Sequence, residues 1–160
     1  MIHKNKFATR LNSFKSNWYS SQKPTVRDLI KRASKVKGLT HVDLNFPDHT
    51  EPSLIDIAKI TNDSGLSING LAMRYYTNPS FKLGAFTNPN KKVRQEAIDL
   101  TKKAIDGLRE INSNLLTIWL GQDGFDYGFQ VDYKKIWNDE IQAIKEIAEY
   151  DKDCFVSIEY

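Results

Sequence analysis

Hydrophobic positions along the chain switch between two spacings. Short apolar or β-branched runs occupy residues 7–11, 39–45, 66–72, 115–120 and 155–159. Runs of this length and composition predict strands. Between them apolar residues recur every three or four positions, the period of a helix with one buried face. The first such stripe is Val26, Leu29, Ile30, Ala33 and Val36, opened by Pro24-Thr25 and closed by Gly38. The second starts near Pro52, carries Leu54, Ile55, Ile57, Ala58 and Ile60, and reaches a C′ residue at Gly65. The third and longest covers residues 91–111 with Val93, Ala97, Leu100, Ala104, Leu108 and Ile111, weakened modestly by Gly107. The fourth carries Ile136, Trp137, Ile141, Ile144 and Ala148. Residues 73–90 form a long segment rich in Asn, Pro and aromatic residues, and a loop of that length within a domain usually has a function.

The predicted order is βαβαβαβαβ, which implies an α/β fold of parallel strands joined by right-handed crossovers. Two architectures fit. An open five-stranded sheet with helices on both faces is complete at this length. A (β/α)₈ barrel typically needs about 250 residues. The 160 residues favour the open sheet on length alone, and they suit one domain spanning 1–160.

Composition narrows the function. Apolar residues make up 40% and charged residues 27%, as in globular domains. A net charge of +3, scattered along the chain, gives no electrostatic footprint for nucleic acid. No apolar run is long enough to span a membrane, and no secretory leader is evident, so a cytoplasmic location is expected. The single cysteine, Cys154, leaves no internal disulfide and no cysteine-built zinc site.

In either architecture chemistry gathers at the C-terminal ends of the strands. Those positions hold Asn12 and Lys15; Asn45, Asp48 and His49; Arg74, Tyr75 and Tyr76; Trp119, Gln122, Asp123 and Asp126; and Glu159. Neither G-x-G-x-x-G nor a P-loop occurs, which argues against dinucleotides and nucleoside triphosphates. Structural roles compete at most of these positions. His49 can shape a helix start, Trp119 can fill a core, and Asp123 and Asp126 are ordinary turn residues beside Gly124. Glu159 is harder to explain structurally, because an acidic group at the end of a buried parallel strand is costly unless it binds something.

The segment Leu71-Ala72-Met73-Arg74-Tyr75-Tyr76-Thr77-Asn78-Pro79-Ser80-Phe81-Lys82-Leu83-Gly84-Ala85-Phe86-Thr87 resembles the xylose isomerases, in which a strand end runs into Phe-Thr-His-Pro-x-Phe-Lys-x-Gly-x-Phe-Thr. Ile118-Trp119-Leu120-Gly121-Gln122-Asp123-Gly124-Phe125 resembles their Trp-Gly-Gly-Arg-Glu-Gly-Tyr motif, and Val156-Ser157-Ile158-Glu159-Tyr160 their Ile-Glu-x-Lys-Pro strand. The match covers residues 66–160 well and 1–65 loosely. The wider group of barrel sugar isomerases and epimerases, including rhamnose-isomerase-like proteins, fits better than a true xylose isomerase.

The resemblance reverses the length argument. It implies a parallel TIM-type barrel truncated after its fifth strand, the N-terminal part of a (β/α)₈ barrel. It implies aldose–ketose isomerisation or epimerisation of a small sugar, with divalent Mg, Mn or Co in the full-length family. Glu159 matches the first metal-binding Glu. The other acidic ligands belong to later strands, so the fragment is expected to be inactive and without metal on its own. Trp119 and Tyr76 match aromatic walls of the sugar site. Asn45 stands where the family has a catalytic His, Asp48 matches that residue's partner Asp, and His49 is left as the substitute. Asp123, with Gln122, replaces the Arg-Glu pair of the tryptophan motif and points to a different sugar. Expected partners are the sugar and either further copies of the chain or a complementing C-terminal half, with no nucleic acid and no membrane. Two other readings stay open: an abasic-site endonuclease of the same barrel type, disfavoured by having only three histidines, and a non-catalytic half-barrel that associates with a second polypeptide.

Overall fold

The computed structural model describes residues 5–16, 23–121 and 125–159. Among them five strands alternate with four α-helices: β1 (Ala8–Arg10), α1 (Val26–Ala33), β2 (His41–Phe46), α2 (Leu54–Asp63), β3 (Ser67–Met73), α3 (Lys91–Glu110), β4 (Leu115–Trp119), α4 (Tyr133–Tyr150) and β5 (Phe155–Glu159). The strands pair in the order β1-β2-β3-β4-β5, every pair parallel. Sequential order is that of a barrel wall. A doubly wound sheet reverses direction at a switch point, and this one does not. The barrel reading holds over the open-sheet reading that length favours.

Each helix begins on a short polar side chain that accepts a hydrogen bond from an otherwise unpaired backbone N–H. Thr25 and Asp28 form a reciprocal capping box at α1. Ser53 accepts from Asp56, Asn90 from Lys92 and Asp132 from Lys135. Helix α1 ends at Ala33, five residues before Gly38. Val36 is exposed, so extending the helix would bury nothing further.

Strand alternation separates two faces. Val42, Leu44, Leu116 and Ile118 are fully buried under the helices. Their neighbours Asp43, Asn45, Thr117 and Trp119 occupy the opposite face. The β4–β5 register sets Trp119 beside Glu159 on that face. Four spacings of about 4.8 Å would put β1 and β5 roughly 19 Å apart in a flat sheet, beyond the joint reach of an arginine and a glutamate. Yet Arg10 of β1 is ion-paired with Glu159 of β5. The sheet therefore curls, and these side chains meet inside the curve.

Two close approaches need glycine. A Cβ on Gly70 would lie 2.4 Å from the Leu115 carbonyl oxygen, where β3 passes β4. One on Gly107 would lie 2.8 Å from a Leu54 methyl. Gly107 thus brings α3 against the start of α2; its cost in helix propensity has a packing return.

The segment after β3 is not structureless. Two 3₁₀ turns, Tyr75–Thr77 and Pro79–Phe81, fold it onto the body. Tyr75 packs edge-on against Phe81 and Phe86 at centroid distances of 6.0 and 5.3 Å. Most of the motif's aromatic residues are therefore core. Helix α4 departs from its expected stripe. Ala143 and Ile147 are buried, whereas Trp137 and Ile141 are exposed. The helix lies against α3, tied by Lys102–Glu146 and Arg94–Asp139 pairs, and buries a narrower strip than its sequence offers.

Candidate functional site

At the C-terminal ends of the strands a cleft of about 410 Å³ is lined by Arg10, Asn12, Ser13, Arg74, Tyr76, Trp119 and Glu159. Each residue arrives for a local reason. Arg10 and Glu159 end the outermost strands, and Trp119 ends β4. Arg74 follows the last residue of β3, and Tyr76 lies in the turn after it. Gly121 has φ +75°, and a Cβ there would sit 2.9 Å from the Tyr76 ring. The chain leaving β4 thus passes directly under Tyr76.

Arg74 organises the wall. Its guanidinium lies 4.9 Å from the Trp119 ring centre and 5.3 Å from that of Tyr76, and the two rings meet edge-to-face at 5.1 Å. It donates to the Tyr76 hydroxyl. With its amide oxygen facing Arg74, Asn45 accepts from Nε at 3.1 Å and Nη2 at 3.2 Å, the orientation the hydrogen-bond network requires. Arg74 is only 6% exposed. None of the ion pairs among the described residues includes it. Burying an ion costs several kcal/mol, and cation–π contacts return about 0.5–2 kcal/mol each, so the aromatic rings offset part of that cost.

Three of the sequence-derived site residues come together here: Tyr76, Trp119 and Glu159. Asn45 lies beneath them, 1% exposed and engaged with Arg74. Asp48 is exposed on the loop after β2, where its carboxylate accepts from Thr77 Oγ1 at 3.3 Å. It is at the same end of the sheet but does not line the cleft. His49 is 2% exposed. Its Nδ1 accepts from the Asn45 N–H at 3.1 Å, which leaves the proton on Nε2, an atom buried without a partner. Burial first, then the positive charges of Lys15 and Arg74, push its pKa down to about 4 against the opposing pull of Asp48. The imidazole is neutral at physiological pH. Asp123 and Gln122 lie outside the described residues.

Asn12 and Arg74 are among the strand-end positions named from the sequence, without an assigned role, and Arg10 is the residue that sequence reasoning misses. Arg74 and Asn12 stand at strand ends, and Arg10 alternates with residues of the buried face. Those were the signals available. The curl that brings Arg10 to Glu159 is not a local property of either segment.

The donor set for a divalent ion is thin. Among the described residues no three His, Cys, Asp or Glu side chains come together as a metal site. The one matching carboxylate, Glu159, already faces the Arg10 guanidinium. A hard cation needs several oxygen ligands, and these residues do not by themselves fit one. Deeper in the curve, burial pushes the Asp43 carboxyl up, opposed by a 2.8 Å hydrogen bond from Asn69 and by the charge of Arg10.

The relatives agree with this fold. A xylose isomerase of Thermus thermophilus is 26% identical over 95 residues, 59% of this chain and 24% of that protein. This is the fold of the xylose isomerase-like TIM barrels. A D-psicose 3-epimerase with D-fructose present superposes with a TM-score of 0.68 at 16% identity, over 96% of this chain and 51% of the other. A D-allulose 3-epimerase from Methylomonas in complex with D-allulose gives 0.69 at 12% identity, over 96% and 50%. A putative xylose isomerase from Rhodospirillum rubrum gives 0.66 at 19% identity, over 92% and 50%. No family model matches the chain. The chain spans about half the length of these solved structures and about a quarter of the curated xylose isomerase. The family resemblance read from the loop and the tryptophan motif is upheld, as is the half-barrel fold. No helix among the described residues is long and apolar enough to cross a membrane.

Proposed function

We propose that the chain forms the sugar-holding part of an aldose–ketose isomerase or epimerase of the xylose isomerase-like kind, and that these residues alone are insufficient for turnover. The observation that carries the reading is the cleft itself: two aromatic faces, Tyr76 and Trp119, beside the polar groups of Arg10, Asn12 and Glu159 at the strand ends. A sugar presents C–H patches and hydroxyls together, and such a wall meets both. In this reading Glu159 accepts hydrogen bonds from sugar hydroxyls.

Asp48 and His49 remain the proposed catalytic pair for the whole protein. His49 stays neutral near neutral pH because burial depresses its pKa, and its Nε2–H is sealed away from the cleft. A divalent ion of the kind the resemblance implies needs carboxylates beyond Glu159, and we place those outside the 160 residues. Support comes from the share of each relative that the chain covers.

The test is binding by the 160-residue chain. Titration with ketohexoses and pentuloses should change tryptophan fluorescence, and Trp119→Phe should remove the change while leaving the far-UV spectrum intact. A sugar response that survives Trp119→Phe, or no response to any sugar, would remove the cleft from this role.

A further inference from the structure

Resting on the sugar-cleft reading, we propose that Arg74 is the recognition point for an anionic group carried by the sugar, a phosphate ester or a carboxylate. The argument begins with charge. Arg10 and Glu159 neutralise one another at one side of the cleft. Arg74 has no such partner among the described residues, so the described residues that line the cleft carry one net positive charge, on a side chain that is 6% exposed. A buried cation of this kind strengthens any anion that reaches it, because little water is left to screen the pair.

The geometry of the guanidinium agrees. Arginine has five N–H donors in a rigid fork. Asn45 takes one from Nε and one from Nη2, and Tyr76 takes one from Nη1. One N–H on each terminal nitrogen remains without a protein acceptor among the described residues, a pair suited to two oxygens of one phosphate or carboxylate. Asn45 and the two aromatic rings hold the fork in place, so little conformational freedom is lost on binding. Asn12 adds an independent observation. It lines the same cleft, and its Oδ1 is buried with no hydrogen-bond partner.

The competing explanation is that Arg74 only positions Tyr76 and Trp119. Calorimetric titration of the 160-residue chain separates the two, using ribulose, ribulose 5-phosphate, ribonate and inorganic phosphate at low and high salt. At low salt the ester or the aldonate should bind at least about tenfold tighter than ribulose, and the difference should shrink as salt rises. Whichever of the two binds tighter identifies phosphate or carboxylate as the group. Arg74→Met should weaken the anionic ligand at least about tenfold more than it weakens ribulose, and Arg74→Lys should recover part of the difference. Equal affinity for ribulose and both anionic sugars would overturn the inference while leaving the sugar reading intact. Inorganic phosphate binding as tightly as the ester, and lost in Arg74→Met, would uphold the anion site and overturn the sugar reading. No binding of any anion would overturn the inference. If Arg74→Met does not fold, the Arg74 Nε–H resonance of the unmodified chain decides. It should shift on adding the anionic sugar and stay put with ribulose; an unmoved resonance overturns the proposal.

Discussion

Single residues here do unlike things with like chemistry. Arg10 is ion-paired and Arg74, among the described residues, is not, though both line one cleft. Among the histidines, His41 shares a hydrogen bond with Thr40 at 2.7 Å, while His49 is sealed with one ring nitrogen unpartnered. That burial has a pH consequence. His49 titrates near its ordinary 6.5 when unfolded and at about 4 when folded. The unfolded state therefore binds the proton first. Stability is fully present above pH 6.5 and is lost as pH falls from there toward 4. The loss is on the order of 2–3 kcal/mol. Urea unfolding at pH 7 and pH 4.5 should show it, and His49→Gln should flatten the difference. An unchanged pH dependence in His49→Gln would mean that other groups set the acid limit.

At the scale of elements, caps and close approaches decide where things begin and how near they come. Thr25→Ala removes one half of the α1 capping box and should cost about 1 kcal/mol in thermal or urea unfolding. Thr25→Ser should recover most of it. Gly70→Ala drives a methyl group into the Leu115 carbonyl, an atom that cannot swing aside. We expect a loss of about 2–3 kcal/mol from overpacking, more than from alanine at the open Gly128. One polar cap and one positive-φ glycine were legible as sequence: Thr25 and Gly65 do what their neighbours' pattern implies. The glycines that matter for packing were not. Nothing around Gly107 announces that Leu54, far away in the chain, lies over it.

For the whole molecule, the curl of the sheet is the controlling fact. It brings β1 to β5 and makes one cleft from residues at both ends of the chain. Strand β5 is thinly covered: Phe155 is 68% exposed and Ile158 52%, although Ile158 shares its face with the fully buried Ile118. With one carboxylate of a metal set on hand, and that one held by Arg10, the 160-residue chain should not interconvert aldoses and ketoses, with Mg, Mn or Co added. Sugar analysis after prolonged incubation measures this directly. Metal-dependent conversion abolished by Glu159→Gln would show that the site is complete and the proposal wrong.

Local periodicity determined the element order. Apolar runs and three-to-four spacing place every strand and helix within a few residues, because burial of one face is the main force shaping each segment. The motif residues Trp119 and Tyr76 were also legible, each standing at a strand end. Tertiary structure decided the rest. Length favours an open sheet and the motif resemblance half a barrel, and both satisfy the same periodicity; the sequential pairing of β1 to β5 decided between them. The same curl paired Arg10 with Glu159 and, together with the turn after β3, left Arg74 buried between two rings. A charge gains its meaning from what surrounds it, and these surroundings come from all five strands and the turns that follow them.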